Sequence, residues 1–115
     1  MEVYQRALAF VFFADPIRAK LCSGRSALAD QPDRASVSIA LNIAEGAGEF
    51  ARREKARFYR MARRSATECA TILDITRALG LVHDAQCSEG REQLRIIVAM
   101  LVALAKWLEK TSKNP

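Results

Sequence analysis

The chain is 115 residues long, half of its residues are hydrophobic, and its formal net charge at pH 7 is +5. This length fits one domain with one core, and no apolar run reaches the roughly 18 residues that a membrane span needs. The charge favours polyanionic partners, and we expect a cytoplasmic protein with no signal peptide and no membrane contact.

The cysteines form neither a metal-binding nor a disulfide pattern. Cys22, Cys69 and Cys87 share no CxxC spacing, and His83 is the single histidine of the chain. A zinc site needs four ligands, so we expect no metal, no cofactor, and thiols that stay reduced.

Helical periodicity runs through the whole chain, and the first predicted helix covers about residues 2–21. It carries two apolar stripes, although a helix in a monomeric bundle needs only one. One stripe holds Tyr4, Leu8, Val11 and Phe12, and the other holds Ala7, Phe10, Ala14 and Ile17. Pro16 lacks a backbone donor and is expected to kink or split this helix.

The second predicted helix covers about residues 31–46, after a connector at residues 23–26. Asp30 is a good N-cap for this helix, and Gly46 is a natural stop signal. Along this otherwise apolar segment, three polar residues form a stripe: Ser38, Asn42 and Glu45.

The third predicted helix covers about residues 52–79, with Gly80 placed to close it in the left-handed conformation. Its apolar face is expected to hold Phe58, Met61, Ala62, Ser65, Cys69, Ile72, Leu73, Thr76 and Leu79. The opposite face is basic, and its candidate nucleic-acid contacts are Arg52, Arg53, Arg57, Arg60, Arg63 and Arg64. Such a face suits salt-sensitive contact with a phosphate backbone. The alternative is a solvated face whose arginines pair with acids elsewhere.

A carboxylate inside the bundle must be paired or protonated. We therefore expect a buried polar network that fixes the register of the second and third helices. Its predicted members are Ser38, Asn42, Glu45, Ser65 and Glu68. The alternative is that Glu45 and Glu68 bind a metal or serve acid–base chemistry, although the chain lacks the Glu-x-x-His motifs of di-iron bundles. We expect no catalytic residues.

The fourth predicted helix covers about residues 88–111, after a loop that contains His83. Its core stripe holds Leu94, Ile97, Val98, Leu101, Ala105 and Leu108. A second stripe on this helix and on the first predicts a homo-oligomer; the alternative is a wide core face with a few exposed apolar residues. The candidate interface residues are Phe10, Phe13, Ile96, Met100, Ala103 and Trp107. Short connections favour an all-α, antiparallel up-down-up-down four-helix bundle.

Three segments resemble the four helix bundle protein family, which includes the proteins encoded in 23S rRNA intervening sequences. The segments are DQPDRASVSIALNIAEGAG, RFYRMARRSATE and LGL, and NIAEG at residues 42–46 is the most specific. This family is related to the accessory variability protein of diversity-generating retroelements. The resemblance implies an up-down bundle assembled as a homopentameric ring. The retroelement relative further implies binding to nucleic acid and contact with a reverse transcriptase.

By the same resemblance, seven residues occupy recurrent family positions of a framework kind: Arg34, Ser38, Asn42, Glu45, Gly46, Ser65 and Glu68. The chain departs from the family at Ala40, where proline is common, at Arg64, where a small residue is common, and at Pro16. The leading hypothesis is a non-enzymatic homopentamer that binds RNA, DNA or a nucleic-acid enzyme through the basic face. The alternative is a protein-interaction scaffold with no nucleic-acid role.

Overall fold

The computed structural model describes residues 1–22 and 26–112, and the side chains of residues 1–20 and 34–110. Within these residues the chain is all-α and contains no strand, as the periodicity predicts. The four helices are α1 (Glu2–Cys22), α2 (Ser26–Gly48), α3 (Arg52–Ala78) and α4 (Asp84–Ser112). They pack into an elongated body with extents of 54 × 23 × 19 Å.

Two helices begin earlier than the sequence predicts. α2 starts at Ser26, so Asp30 lies inside the helix and the prediction of an N-cap there is wrong; the Asp30 side chain lies outside the described residues. α4 starts at Asp84, so the second half of the predicted loop is helical. The backbone N–H of His83 donates to the Gln86 side-chain oxygen at 3.2 Å, which closes the first turn of α4.

α1 runs through Pro16 without a break, so the predicted split is absent. A proline inside a helix removes one hydrogen bond but keeps a helical φ, and packing on both sides of it holds the helix together. Of the predicted connector at residues 23–26, Ser26 is helical and the other three residues lie outside the described part of the chain.

The end of α3 follows the sequence prediction in detail. Gly80 has a φ of +73°, the left-handed conformation that glycine adopts at low cost. The Leu81 N–H donates to the Thr76 carbonyl at 2.9 Å, and the Gly80 N–H donates to the Arg77 carbonyl at 2.9 Å. This pair of hydrogen bonds is a Schellman motif, which satisfies carbonyls that a helix end would otherwise leave unpaired.

The end of α2 is capped by a residue of α3. Lys55 Nζ donates to the Gly46 carbonyl at 2.8 Å and to the Ala47 carbonyl at 3.1 Å. A cation at this position also interacts favourably with the negative end of the helix dipole. Lys55 therefore serves the fold, although it lies among the arginines of the basic segment.

Each helix packs against the next one along the chain, and α1 also contacts α4. Within the described residues, α1 and α3 lie diagonally across the bundle without close approach of their backbones, and so do α2 and α4. Side chains of α1 and α3, such as Phe10 and Leu73, still line one small cavity in the core. The helices thus occupy the four sides of a bundle, and the interfaces of α3 with α4 and with α2 are the most extensive.

All four helices contribute to one core. α1 buries Val3, Ala7, Phe10, Ala14 and Ile17, and α4 buries Leu94, Ile97, Leu101, Ala105 and Leu108. The stripe of α1 that contains Phe10 therefore faces the core, whereas Phe12 is 83% exposed. Phe10 is only 2% exposed within its own chain, so the prediction that it lies at an oligomer interface is wrong. Periodicity finds two apolar faces on α1 but does not say which of them meets the bundle.

α3 faces the core with smaller residues than the sequence predicts. Its buried residues are Ala56, Tyr59, Ala62, Ala66, Cys69, Ile72, Leu73 and Thr76. Four predicted core residues are less buried: Phe58 and Ser65 are half-buried, and Met61 and Leu79 are 38% and 37% exposed. The alanines let neighbouring helices approach closely. Gly46 does not end α2, which continues to Gly48, but packs against the Tyr59 ring.

Candidate nucleic-acid interface

The outer face of α3 carries an open groove with a volume of about 820 Å³, which we call the arginine groove. Its lining residues are Arg57, Arg60, Met61, Arg63, Arg64, Thr67, Glu68 and Thr71. Most of these residues recur at intervals of three and four, so they share the side of the helix that faces away from the buried Ala62 and Ala66. Four of the six predicted arginines thus line one surface. Arg52 and Arg53 are exposed in the first turn of the same helix.

Two arginines of the groove have acidic partners. Arg57 pairs with Glu54 of the preceding turn at 3.1 Å, and Arg60 pairs with Glu109 of α4. All four side chains are between 42% and 52% exposed, so solvent screens both pairs and each contributes little to stability. These acids nevertheless lower the local positive charge. For this part of the basic face, the structure agrees with the alternative that the arginines pair with acids.

Three other arginines of α3 are not neutralised by a neighbouring acid. In the part of the chain that the structure describes, no ion pair involves Arg53, Arg63 or Arg64. All three are exposed. Arg52 differs again, because its guanidinium lies 4.9 Å from the centroid of the Trp107 ring. The basic face is therefore only partly neutralised by the described side chains.

Three members of the predicted polar network meet where α2 packs on α3. The hydroxyl oxygens of Ser38 and Ser65 lie 2.8 Å apart and share a hydrogen bond between the helices. Asn42 Nδ2 donates to Ser38 Oγ at 3.0 Å and to the Ser38 carbonyl at 2.9 Å. All three residues are half-buried. This polar cluster ties one turn of α2 to one position on α3 and has no group that must ionise.

The other two predicted members, Glu45 and Glu68, are exposed, so the prediction that they are buried is wrong. Within the described residues neither has an ion pair or side-chain hydrogen bond. Both occupy an edge of their helix, where the polar stripe turns toward solvent and a charge needs no partner. Glu68 instead lines the arginine groove.

Burial and charge also affect two ionisable side chains of α3. Burial, and secondarily the Glu68 carboxylate, raise the pKa of the Cys69 thiol to about 12. Burial likewise raises the pKa of the Tyr59 phenol. Among the residues that the structure describes, no three His, Cys, Asp or Glu side chains lie close enough to hold a metal ion together.

The candidate oligomer interface is only partly exposed. Ala103 and Trp107 of α4 are exposed, and Phe13, Ile96 and Met100 are half-buried. An apolar groove with a volume of about 310 Å³ runs beside these α4 residues, between the start of α1 and α4. Its lining residues are Met1, Glu2, Val3, Met100, Ala103 and Leu104. The Phe13 ring lies 5.7 Å from the Phe10 ring, so it packs on the edge of the core.

Sequence reasoning missed the exposed aromatic residue between α2 and α3. Phe50 lies in the connector and its side chain is fully exposed, at 101% of the reference area. A signal was available, because Phe50 falls outside both predicted helices and directly precedes the basic segment. Leu41, which is 59% exposed on α2, was also missed. It lies within an apolar run, where nothing in the sequence distinguishes an exposed residue from a buried one.

The fold and this surface define a small all-α protein with a basic helix on one side of a four-helix bundle. The family described as 23S rRNA-intervening sequence protein matches residues 1–103. The chain belongs to this family.

A solved structure has the same fold. It is the 1.70 Å crystal structure of a protein with unknown function from the S23 ribosomal protein family of Bacteroides thetaiotaomicron VPI-5482. The two chains are 19% identical and superpose with a TM-score of 0.83, over 90% of this chain and 98% of that one. No curated protein matches the sequence significantly. Over the described residues, no helix combines the length and apolar character that crossing a membrane requires.

Proposed function

We propose that this protein is a non-enzymatic homopentamer that binds the phosphate backbone of RNA or DNA through its arginine groove. The observation that carries this proposal is a set of exposed arginines that have no ion pair within the described residues, Arg53, Arg63 and Arg64. Arg63 and Arg64 line the arginine groove together with Arg57 and Arg60, and Arg53 lies in the first turn of the same helix. Guanidinium groups bind phosphate oxygens through charge-assisted hydrogen bonds. Each phosphate contact releases condensed counterions, so binding of this kind weakens as salt rises.

The proposed assembly is a ring of antiparallel, up-down-up-down bundles. The antiparallel arrangement is supported by two contacts between α2 and α3, whose order along α2 is the reverse of their order along α3. Ser38 bonds Ser65, whereas Gly46, further along α2, packs on Tyr59, which comes earlier on α3. The ring is supported by the apolar character of the exposed α4 face and by the resemblance to pentameric relatives. Five copies of a weak phosphate contact would add up to a useful affinity.

The test is fluorescence anisotropy of labelled RNA and DNA oligonucleotides across a salt series. We expect binding at low salt and a linear fall of log K with log salt. Replacing Arg64 with Gln should reduce the slope by about 0.7 to 0.9 for each subunit whose Arg64 contacts a phosphate. Absence of binding at low salt, or binding that salt does not weaken, would contradict the proposal.

Arg77→Gln is the matched control for Arg64→Gln. Arg77 is exposed on the same helix and has no ion pair within the described residues. It follows Arg64 by 13 residues, about 20 Å along the helix, and does not line the arginine groove. The control removes the same charge from α3, so an equal loss of affinity in both variants would indicate a general charge effect rather than a site.

A protein-interaction scaffold is the second candidate, and one observation favours it. Phe12 of α1 and Leu41 of α2 are 83% and 59% exposed, although neither is among the candidate interface residues on α4. The two helices that carry these side chains pack on each other, and a contiguous exposed apolar patch marks a protein contact. The partner could be a nucleic-acid enzyme such as a reverse transcriptase, as the retroelement relative implies. A pull-down that recovers a partner after nuclease treatment, and loses it with Phe12→Ser, would favour the scaffold.

A further inference from the structure

We infer that the nucleic acid bound by this protein is single-stranded, and that one of its bases stacks on Phe50. This inference rests on the proposed function and deepens it, because it names the class of nucleic acid. It is carried by the position of a fully exposed aromatic ring directly before the arginine-bearing helix.

Phe50 is presented by an ordered piece of backbone. On one side of it, the Glu49 N–H donates to the Gly46 carbonyl at 3.2 Å. On the other side, Ala51 is extended, with φ −71° and ψ 126°, and its carbonyl accepts from the Lys55 N–H at 2.9 Å. The ring nevertheless contributes nothing to the core, since it is 101% exposed. A large apolar side chain held outward in this way gains free energy only when something covers it.

The ring is close to the unpaired charge of α3. Arg53 follows Phe50 by three residues, so their Cα atoms are at most about 11 Å apart. Arg53, Arg57, Arg60 and Arg64 then follow at intervals of four, three and four residues, and the last three line the arginine groove. An aromatic platform at the end of a basic groove is the combination by which proteins hold single strands, with phosphates along the groove and bases on the rings.

A double helix would use this surface differently. Its phosphates can contact the arginines, but its bases are already paired and stacked on one another. Phe50 would therefore add nothing to duplex binding, whereas in a single strand it would add a stacked base. The ring thus discriminates between the two forms, and the arginines alone do not.

The experiment compares oligo(U) and oligo(dT) strands with an RNA or DNA duplex of equal length, by fluorescence anisotropy at low salt. We expect Phe50→Ala to weaken single-strand binding roughly 5- to 150-fold, the range for loss of one stacked base, and to leave duplex binding unchanged. The salt slope should also stay unchanged, because the substitution removes no ionic contact. Phe50→Tyr keeps an aromatic face and should restore binding.

Phe12→Ala is the matched control. Phe12 is also a highly exposed phenylalanine, but it lies on α1, which is diagonally opposite α3 in the bundle. We expect this variant to bind single strands like the unaltered protein. Far-ultraviolet circular dichroism and light scattering on every variant report whether fold and assembly are intact.

Four results would overturn the inference. If Phe50→Ala binds single strands as tightly as the unaltered protein, or if the duplex binds more tightly than the single strand, the nucleic acid is not held as inferred, while the proposed function stands. If Phe50→Ala dissociates the oligomer, a second copy of the chain covers the ring instead. If no nucleic acid binds at low salt, the proposed function fails together with the inference.

Discussion

Gly46 of α2 lies so close to Tyr59 of α3 that a methyl group at Gly46 would be 2.8 Å from Tyr59 Cε1 and 3.0 Å from Cδ1. The Tyr59 ring cannot move aside easily, because the residue is only 3% exposed. The same methyl group would lie 3.1 Å from the Phe58 Cβ. The glycine of the NIAEG segment therefore allows α2 and α3 to pack at short distance.

Gly46→Ala should destabilise the protein. Forcing a methyl group into a packed site costs about 1–3 kcal/mol, whereas alanine in a helix gains up to about 1 kcal/mol over glycine. Gly48→Ala is the control, because no atom lies within 4 Å of an added Cβ there and only the gain applies. We expect Gly46→Ala to be about 1–3 kcal/mol less stable than Gly48→Ala in urea unfolding. Equal stability of the two variants would show that the Tyr59 ring gives way.

Ser65→Ala should break the hydrogen bond between α2 and α3. Loss of one half-buried hydrogen bond costs about 1 kcal/mol. Ser88→Ala on α4 is the control for helix propensity, since Ser88 is exposed and its side chain has no partner within the described residues. Adding Ser38→Ala to Ser65→Ala should cost less than the sum of the single variants, because both remove the same bond. Strict additivity in thermal unfolding would argue against the polar cluster.

Lys55→Gln should separate folding from binding. Lys55 caps the carbonyls of Gly46 and Ala47, so we expect a loss of about 0.5–1 kcal/mol of stability. The salt slope of oligonucleotide binding should stay as it is, because the ammonium is already engaged. Lys106→Gln, an exposed lysine of α4, should change neither property. A fall in salt slope with Lys55→Gln as large as with Arg64→Gln would place Lys55 in the binding surface.

Cys69 should be nearly inert to thiol reagents while the protein is folded. Its pKa is raised from 9.0 to about 12, by burial first and by Glu68 second. Below pH 9 this leaves about a thousandfold less thiolate than an ordinary cysteine has. In a Cys22→Ser, Cys87→Ser background, dithionitrobenzoate should react fast only after urea is added. Fast reaction before urea would contradict the burial of Cys69.

The same shift has a consequence for stability at high pH. The unfolded thiol ionises at a lower pH than the folded one, so the unfolded state binds fewer protons between pH 9 and about 12. The contribution of the Cys69 thiol to the free energy of unfolding is fully present below pH 9 and is lost as the pH rises from 9 to about 12. Cys69→Ser should have a smaller loss of stability over the same pH range.

Ala103→Glu tests the proposed oligomer interface without disturbing the core. Ala103 is exposed within its own chain, so the variant should fold, and a buried charge at the interface should dissociate the assembly. Light scattering reports the mass, and circular dichroism reports the helices. Ala85→Glu is the control, at an exposed position in the first turn of α4. An unchanged mass for Ala103→Glu would remove this face from the interface.

The sequence predicts the helices better than their orientation. On α4 the apolar stripe predicted to face the core is the one that is buried. Its buried residues are Leu94, Ile97, Leu101, Ala105 and Leu108. On α1 both stripes are apolar, and only the packing decides that Phe10 faces inward. The sequence predicts the starts of α2 and α4 too late, because a good capping residue such as Asp30 can also lie inside a helix.

The candidate site was predictable in composition but not in charge balance. The six arginines of the predicted basic face are visible in the sequence, yet a partner can come from another helix, as Glu109 of α4 does for Arg60. Similarly, a polar stripe on α2 implies burial of Glu45, while the structure buries only the turn that holds Ser38 and Asn42 against α3. A rotation of α2 by a few tens of degrees about its axis decides which residues of the stripe are buried. The local sequence pattern does not determine this rotation.

The arginine groove lies on the helix with the broadest packing on both of its neighbours, whereas α1 packs mainly on α2 and makes only a small contact with α4 in the described residues. Local opening follows such differences in packing. Amide exchange should therefore be slowest in the middle of α3 and faster in α1, and a ligand would meet a groove whose backbone is already rigid. The entropic cost of ordering that backbone is incurred when the chain folds, so it does not reduce the affinity for the ligand.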